Sequence, residues 1–291
     1  AMANLKEVRD RIVSVNSTKQ ITSAMKMVSA AKLKRAQDAI TQMRPYAKKM
    51  TEVLGSVSGS LDAEDNVYSQ HREGDRVLYV VFTSNKGLCG SFNSHLNKKV
   101  KAEIDNNGDA VVTTVGKKGF EFFRKFDRLV SGDNVPQESN HLLDEISFEN
   151  TSKLAEKIME IYAEGHYDQV NIAFNEFENA ATQRPVIEQF LPIVTPDVDD
   201  AGGSTEYLFE PGKLEILSEL IPKALKTQLF KALLDSNAAE HGARMTAMHQ
   251  ATENAGDLLK ELRLSYNKAR QAAITTEILE ITSGAEALAA G

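Results

Sequence analysis

From residue 213 to about residue 283 the chain carries no signal strong enough to end a helix. Pro222 stands near the start, where it can begin or kink the element. Gly242 and Gly256 each cost about 1 kcal/mol relative to Ala without stopping it. About 60 helical residues at 1.5 Å rise make roughly 90 Å. A compact chain of 291 residues has a radius of gyration near 19 Å, hence a diameter of about 50 Å. So long a helix cannot be housed in its own globule, and a projecting helix needs something against its apolar edge.

The only comparable element lies at the other end of the chain. Roughly the first 54 residues read as one helix, with Leu5, Val8, Ile12 and Val15 at 3,4,3 spacing. Ile21, Met25 and Val28 then resume the stripe after a break in the heptad, followed by Ala31, Ala36 and Ile40. Pro45 is the one breaker, and the Gly-Ser run 55–60 closes the element. The stripe is thin, with Lys19, Lys26, Lys32, Lys34 and Arg35 between its members. A coiled-coil seam needs only two positions in seven, so the two ends are expected to pair as an antiparallel coiled coil. Ala24, Ala30 and Ala31 on one helix and Ala269, Ala272 and Ala273 on the other are expected to permit close approach.

Between the ends the pattern changes. "RVLYVVFTS", "DAVVTTVG", "YDQVNIAFNEF" and "RPVIEQFLPIV" are short runs rich in Val, Thr, Ile and aromatics, with a helical segment at about 150–164. Strands alternating with helices predict an α/β layer domain with a mostly parallel sheet. The expected fold is therefore an antiparallel coiled coil of N- and C-terminal helices with an inserted Rossmann-like α/β domain. The blocks are 1–58, 76–200 and 212–286.

Apolar residues at 42% and charged ones at 26% are ordinary for a globular chain. The sequence holds no run of 18 apolar residues of the kind that crosses a membrane, and no apolar signal core opens the chain. A lone Cys89 allows no intrachain disulfide and suits a reducing compartment, so a cytoplasmic setting is expected. The net charge of −7 hides an asymmetry. Residues 1–60 hold 11 Lys and Arg against 4 Asp and Glu, whereas residues 61–211 hold 14 against 27. The basic arm should meet something acidic.

Enzymatic signals are weak. "GLCG" at 87–90 lacks the spacing of a dinucleotide fingerprint and reads as a strand-to-helix turn, and "GKKG" at 116–119 lacks the upstream glycine of a P-loop. The six histidines form no metal spacing; His241 and His249 lie two turns apart. Cys89 reads as a small packed residue. No catalytic residue, metal, cofactor or small-molecule substrate is expected. A basic coiled coil could instead bind nucleic acid through phosphate neutralisation. Here the positive charges run around the helix instead of forming one stripe, and no nucleic-acid motif accompanies them.

"ITSAMKMVSAAKLKRAQ", "TSNKGLCGSFN" and "EHGARMTAMHQATENAGDLLKELRLSYNKARQAAITTEILEITSGA" resemble, in this order and across the whole chain, the gamma-subunit family of rotary ATP synthases. The resemblance implies a non-catalytic central shaft inside a ring of alpha and beta subunits, its α/β domain standing against epsilon and the membrane c-ring. Such a shaft carries torque between ion flow and ATP synthesis or hydrolysis, in a complex peripheral to the cytoplasmic face of a bacterial inner membrane. It also implies site residues. Met25 matches a position touching the acidic lever segment of beta, with Lys26 beside it. Arg270 and Gln271 match residues that hydrogen-bond to a loop of beta. Arg244, Thr275 and Glu280 are further ring-contact candidates. Tyr207 and Glu210 resemble positions that contact the c-ring or epsilon. The chain departs from the family's Asp-Arg-Gly-Leu-Cys-Gly-Gly, having Ser84-Asn85-Lys86-Gly87-Leu88-Cys89-Gly90-Ser91. Its segment 60–75 holds no cysteine pair, so thiol regulation of the chloroplast type is not expected.

Overall fold

A computed structural model describes residues 5–58, 67–130, 135–193 and 213–289. The elements run α1 (Leu5–Ser58), β1 (Val77–Phe82), α2 (Phe92–Asn106), β2 (Val111–Val115), α3 (Lys117–Phe123), α4 (Phe148–Ala163), β3 (Gln169–Phe177), β4 (Gln183–Leu191) and α5 (Lys213–Ala289). Both long terminal helices form, and α1 continues through Pro45 as α5 does through Pro222. The chain makes two compact units, Ser29–Arg244 and Ala1–Val28 with Met245–Gly291.

In the larger unit the strand order is β2-β1-β3-β4. β1 is parallel to β2 and β3, and β4 closes the edge antiparallel to β3. Every residue of β1 is buried, which is what a central parallel strand covered on both faces requires. Alternation divides its side chains. Leu78, Val80 and Phe82 join α4 residues Leu154, Ile158 and Tyr162 on one face. Val77, Tyr79 and Val81 meet α2 residues Leu96, Val100 and Ile104 on the other. Helix α4 begins where Ser147 accepts a hydrogen bond from the Asn150 amide at 3.2 Å, an N-cap.

The first-named face has a second cover. Ile221, Leu225, Leu229, Ala232 and Leu233 of α5 belong to its core. At about 1.5–3 kcal/mol for each large side chain buried, this part of α5 is an integral layer of the α/β unit.

The smaller unit pairs α1 with α5. Thr252 donates to the Thr22 hydroxyl at 2.8 Å, and Lys26 donates to His249 at 3.1 Å. As α1 numbers rise, their α5 partners fall, so the helices are antiparallel. On α5 Met248, Thr252, Ala255, Leu259, Leu262, Tyr266 and Ala269 are covered at an unbroken 4,3 repeat, and Met245, Ala247, Ala251 and Gly256 are partly covered beside it.

The seam of α1 departs from expectation. The 3,4 repeat of Leu5, Val8, Ile12 and Val15 does not break. Counted on, it reaches Lys19, Thr22 and Lys26, then Ser29, Leu33, Ala36 and Ile40. Thr22, Ser29, Leu33, Ala36 and Ile40 are buried, whereas Ile21 and Val28 are 60% and 57% exposed. The apolar pattern slips by one residue while the helix phase does not, so polar residues enter the seam and apolar ones face outward. Four of the alanines expected at the contact, Ala24, Ala31, Ala272 and Ala273, are exposed, the last two within the stretch past Ala269 where every described side chain is exposed.

Candidate functional site

Among the described residues no catalytic constellation stands out, and no group of acidic, His and Cys side chains could hold a metal ion. The features that stand out are two surfaces of the helical unit and two buried arrangements in the α/β unit.

The first surface is the outward side of α1 around residue 25. Ile21, Met27 and Val28 are all more than half exposed, and Met25 and Lys26 are half-buried beside them. Lys26 Nζ is held at 3.1 Å from His249 Nδ1, and His249 Nε2 lies 3.6 Å from Glu253. Nδ1 accepts from the ammonium, which puts the ring hydrogen on Nε2, facing the carboxylate. The result is an apolar patch with a positioned positive charge.

The second surface is the end of α5, where every described side chain from Arg270 to Leu288 is exposed. Thr275, Thr276 and Thr282 return their hydroxyls to the carbonyls of Gln271, Ala272 and Ile278. Their polar groups are thereby satisfied within the helix and their methyls face out. Ile274, Ile278, Leu279 and Ile281 extend that apolar surface. Arg270 makes no hydrogen bond or ion pair among the described residues. The sequence motif "KARQ" thus places a free guanidinium and an amide at the border of an uncovered apolar helix. Tyr207 and Glu210 lie outside the described residues.

Arg244 occupies a different setting. It is 8% exposed. Its Nη1 donates to Glu240 at 2.6 Å, and its Nη2 donates to the Lys86 carbonyl at 2.8 Å and the Gly87 carbonyl at 3.3 Å. Burial pushes the Glu240 carboxyl up, against the pull of Arg244. Burial also drives His241 down to about 4, with Arg244 and Lys32 adding to the fall. Cys89 packs beneath with Phe92, Ala239 and Ala243. Its thiol is pushed up by burial, the environment of an inert cysteine.

The "GKKG" turn is also closed on itself. Gly116 has φ +116, and a Cβ there would meet the Thr83 carbonyl oxygen at 2.2 Å. The Gly119 amide donates to the Thr83 hydroxyl, the Lys118 amide to the Ser84 carbonyl and the Lys117 amide to Asn85 Oδ1. The donors that would cradle a phosphate are spent within the chain.

A cavity of 440 Å³ is lined by Ile40, Met43, Arg44, Ala47, Glu176, Phe177, Lys231, Leu234 and Asp235. Burial pushes Asp235 up to about 6, with Lys231 opposing. Sequence reading missed Asp235, Glu240 and His241 as buried titratable groups. The available signal was their company, an alanine-rich run on a helix otherwise studded with solvent-facing polar residues.

Comparison with known proteins bears on these surfaces. A family model described as ATP synthase matches residues 4–288. The ATP synthase gamma chain of Christiangramia forsetii is 53% identical over 292 residues, spanning 99% of both chains. That of Geobacter metallireducens is 45% identical over 291 residues with the same coverage. Among solved structures, a chain of the central stalk and c-ring of Tetrahymena thermophila mitochondrial ATP synthase aligns with a TM-score of 0.59. It is 25% identical, and the alignment covers 79% of this chain and 99% of that one. A chain of the Euglena gracilis mitochondrial ATP synthase aligns with a TM-score of 0.70 at 20% identity, covering 99% and 95%; that likeness concerns the fold.

Proposed function

The chain belongs to the ATP synthase gamma-chain family, and from that premise we propose how its surfaces serve a central stalk. It is a non-catalytic subunit, the rotor shaft that transmits torque between the membrane c-ring and the alpha/beta ring. No helix among the described residues is long and apolar enough to cross a membrane. The chain is part of a membrane-associated complex, and we place it at the cytoplasmic face of a bacterial inner membrane.

The observation that carries the mechanism is the inverted stretch of α1. Polar Thr22 lies in the seam, and Ile21, Met27 and Val28 look outward. A helix pair that turns its better apolar residues away from itself is built to be covered by another chain. A shaft drives a conformational change only if its interaction free energy differs between the partner's states. An apolar patch with one positioned cation provides such contacts at modest strength, because an exposed ion pair contributes about 0–1 kcal/mol. Contacts of that size can be broken at every step.

In this reading Met25 and Lys26 touch the acidic lever segment of beta. Arg270 offers a planar fork of donors to a beta loop, and Gln271 offers its amide. Tyr207 and Glu210 are assigned to the c-ring or epsilon. Arg244, whose donors are engaged inside the chain, is assigned below to an internal role.

The test is reconstitution with alpha and beta from one source, followed by ATP hydrolysis with and without this chain. A complex holding one copy of it, with hydrolysis that depends on it, is expected. Separate elution with hydrolysis indifferent to the chain would overturn the reading.

A further inference from the structure

In open α/β sheets, ligands settle in the crevice at the carboxyl ends of the strands, where successive connections leave in opposite directions. Here that point lies between β1 and β3, since β2 flanks β1 on one side and β3 on the other. The crevice is filled by α5. The Phe92 and Cys89 side chains just after β1 and Phe177 at the end of β3 pack on Ala239 and Ala243. Gly242 lets the β3–β4 connection come close, because a Cβ there would stand 3.3 Å from Ala180 Cα and Phe177 Cε2.

Apolar packing of small residues resists separation but offers little resistance to sliding. Arg244 supplies the directional part. Its fork reaches the carbonyls of Lys86 and Gly87 from α5, 157 to 158 positions along the chain, while Glu240 one turn back holds Nη1. The turn is shaped for this. Leu88 and Gly90 both take left-handed φ values, 62° and 59°. Asn93 locks the base of the turn by donating to the Ser84 hydroxyl at 2.8 Å and Cys89 Sγ at 3.3 Å. A lysine could not reproduce two carbonyl contacts and a carboxylate contact in one plane.

We infer that the strand-end crevice is a grip on the shaft helix, and that Arg244 is the positioning residue that fastens the α/β body to α5 against torque. This rests on the shaft reading. Core packing of Ile221 to Leu233 holds the body at one stretch of α5. The covered stretch runs on without a break to Arg244, about three turns beyond Leu233, and the clasp at its end adds directional contacts that resist twist where apolar packing alone permits it.

The experiment is to assemble the complete synthase with wild-type chain, Arg244→Lys or Glu240→Gln in inside-out membrane vesicles. ATP hydrolysis, ATP-driven ion pumping and amide exchange of residues 84–91 are measured on each. Arg244→Lys is expected to keep at least half of the hydrolysis, to lose several-fold in ions pumped per ATP, and to lose protection in the turn. Glu240→Gln, which keeps an acceptor for Nη1, is expected to retain coupling. Pumping per ATP unchanged in Arg244→Lys overturns the clasp, and so does hydrolysis lost in step with pumping, which would make Arg244 a contact of the ring. Should Arg244→Lys fail to assemble, Gly242→Ala, which presses on Phe177 and Ala180, serves in its place with the same expected split. A wild-type chain that restores neither activity overturns the shaft reading itself.

Discussion

Helix α5 lives two lives. Between Ile221 and Arg244 nearly every side of it is covered, and Leu229 and Leu233 are fully buried in the α/β core. From Met245 onward the covered positions narrow to a stripe, with Leu259, Leu262, Tyr266 and Ala269 the last of them, and past Ala269 none is among the described side chains. The backbone is the same throughout; the neighbours differ. An apolar stripe all round suits burial in a globule, and a narrow one suits a seam. Charge follows the same division. Arg244 is buried with its donors spent, whereas Arg270 is exposed with its donors free. A part of the shaft that must be gripped permanently uses desolvated polar contacts, and a part that must release its partner does not.

The largest effect that separates the two stretches is cavity formation. Leu229→Ala should destabilise the full chain by about 2–5 kcal/mol, against no more than about 0.5 kcal/mol for exposed Leu258→Ala. Urea unfolding of both variants measures the ratio, and equal losses would mean that the two stretches are not different environments.

Next in size is the buried pair. Glu240→Ala leaves the Arg244 guanidinium without its carboxylate, facing only the Lys86 and Gly87 carbonyls and His241 Nδ1, and should cost about 3 kcal/mol. Lys26→Ala should cost about 1 kcal/mol or less, because its ion is exposed. A similar cost for both in the same unfolding assay would erase the distinction.

Acid titration sharpens the picture within the buried stretch. Asp235, raised from 3.8 to about 6 by burial, contributes stability that is present below pH 3.8 and lost as pH rises through about 6. His241, lowered from 6.5 to about 4 by burial, contributes stability present above pH 6.5 and lost as pH falls through about 4. The two slopes oppose each other between pH 4 and 6. Asp235→Asn should therefore steepen the loss of stability on acidification in that window, and His241→Gln should reverse its sign. Thermal midpoints from pH 4 to 7 give the answer, and parallel curves for the two variants would refute it.

The smallest effect on stability is expected at the free end. Arg270→Ala with Gln271→Ala should move the unfolding midpoint by no more than about 0.5 kcal/mol, while lowering ATP hydrolysis of the assembled complex. Unchanged turnover would remove these two residues from the contact with beta.

The two long helices, the four strands and the α/β insertion were legible in the sequence because hydrophobic period survives without knowledge of partners. Leu5, Val8, Ile12 and Val15 define a seam by themselves. Ile21 and Val28 did not, because an apolar residue at the wrong phase looks like a seam until the opposing Thr252 shows that Thr22 faces it. The turn "GLCG" was legible as a turn, but not as a grip. Nothing local tells a carbonyl at Lys86 that an arginine more than 150 residues away will bond to it.

The sequence by itself determined the periods, the breakers and the charge asymmetry, and so the kind of fold. Tertiary structure alone decided which charges are buried. Glu240 and Arg244 at i,i+4 would be a surface pair on an isolated helix. They become a desolvated clasp only because β1 and β3 end against that one turn of α5, and burial is a property of what lies opposite.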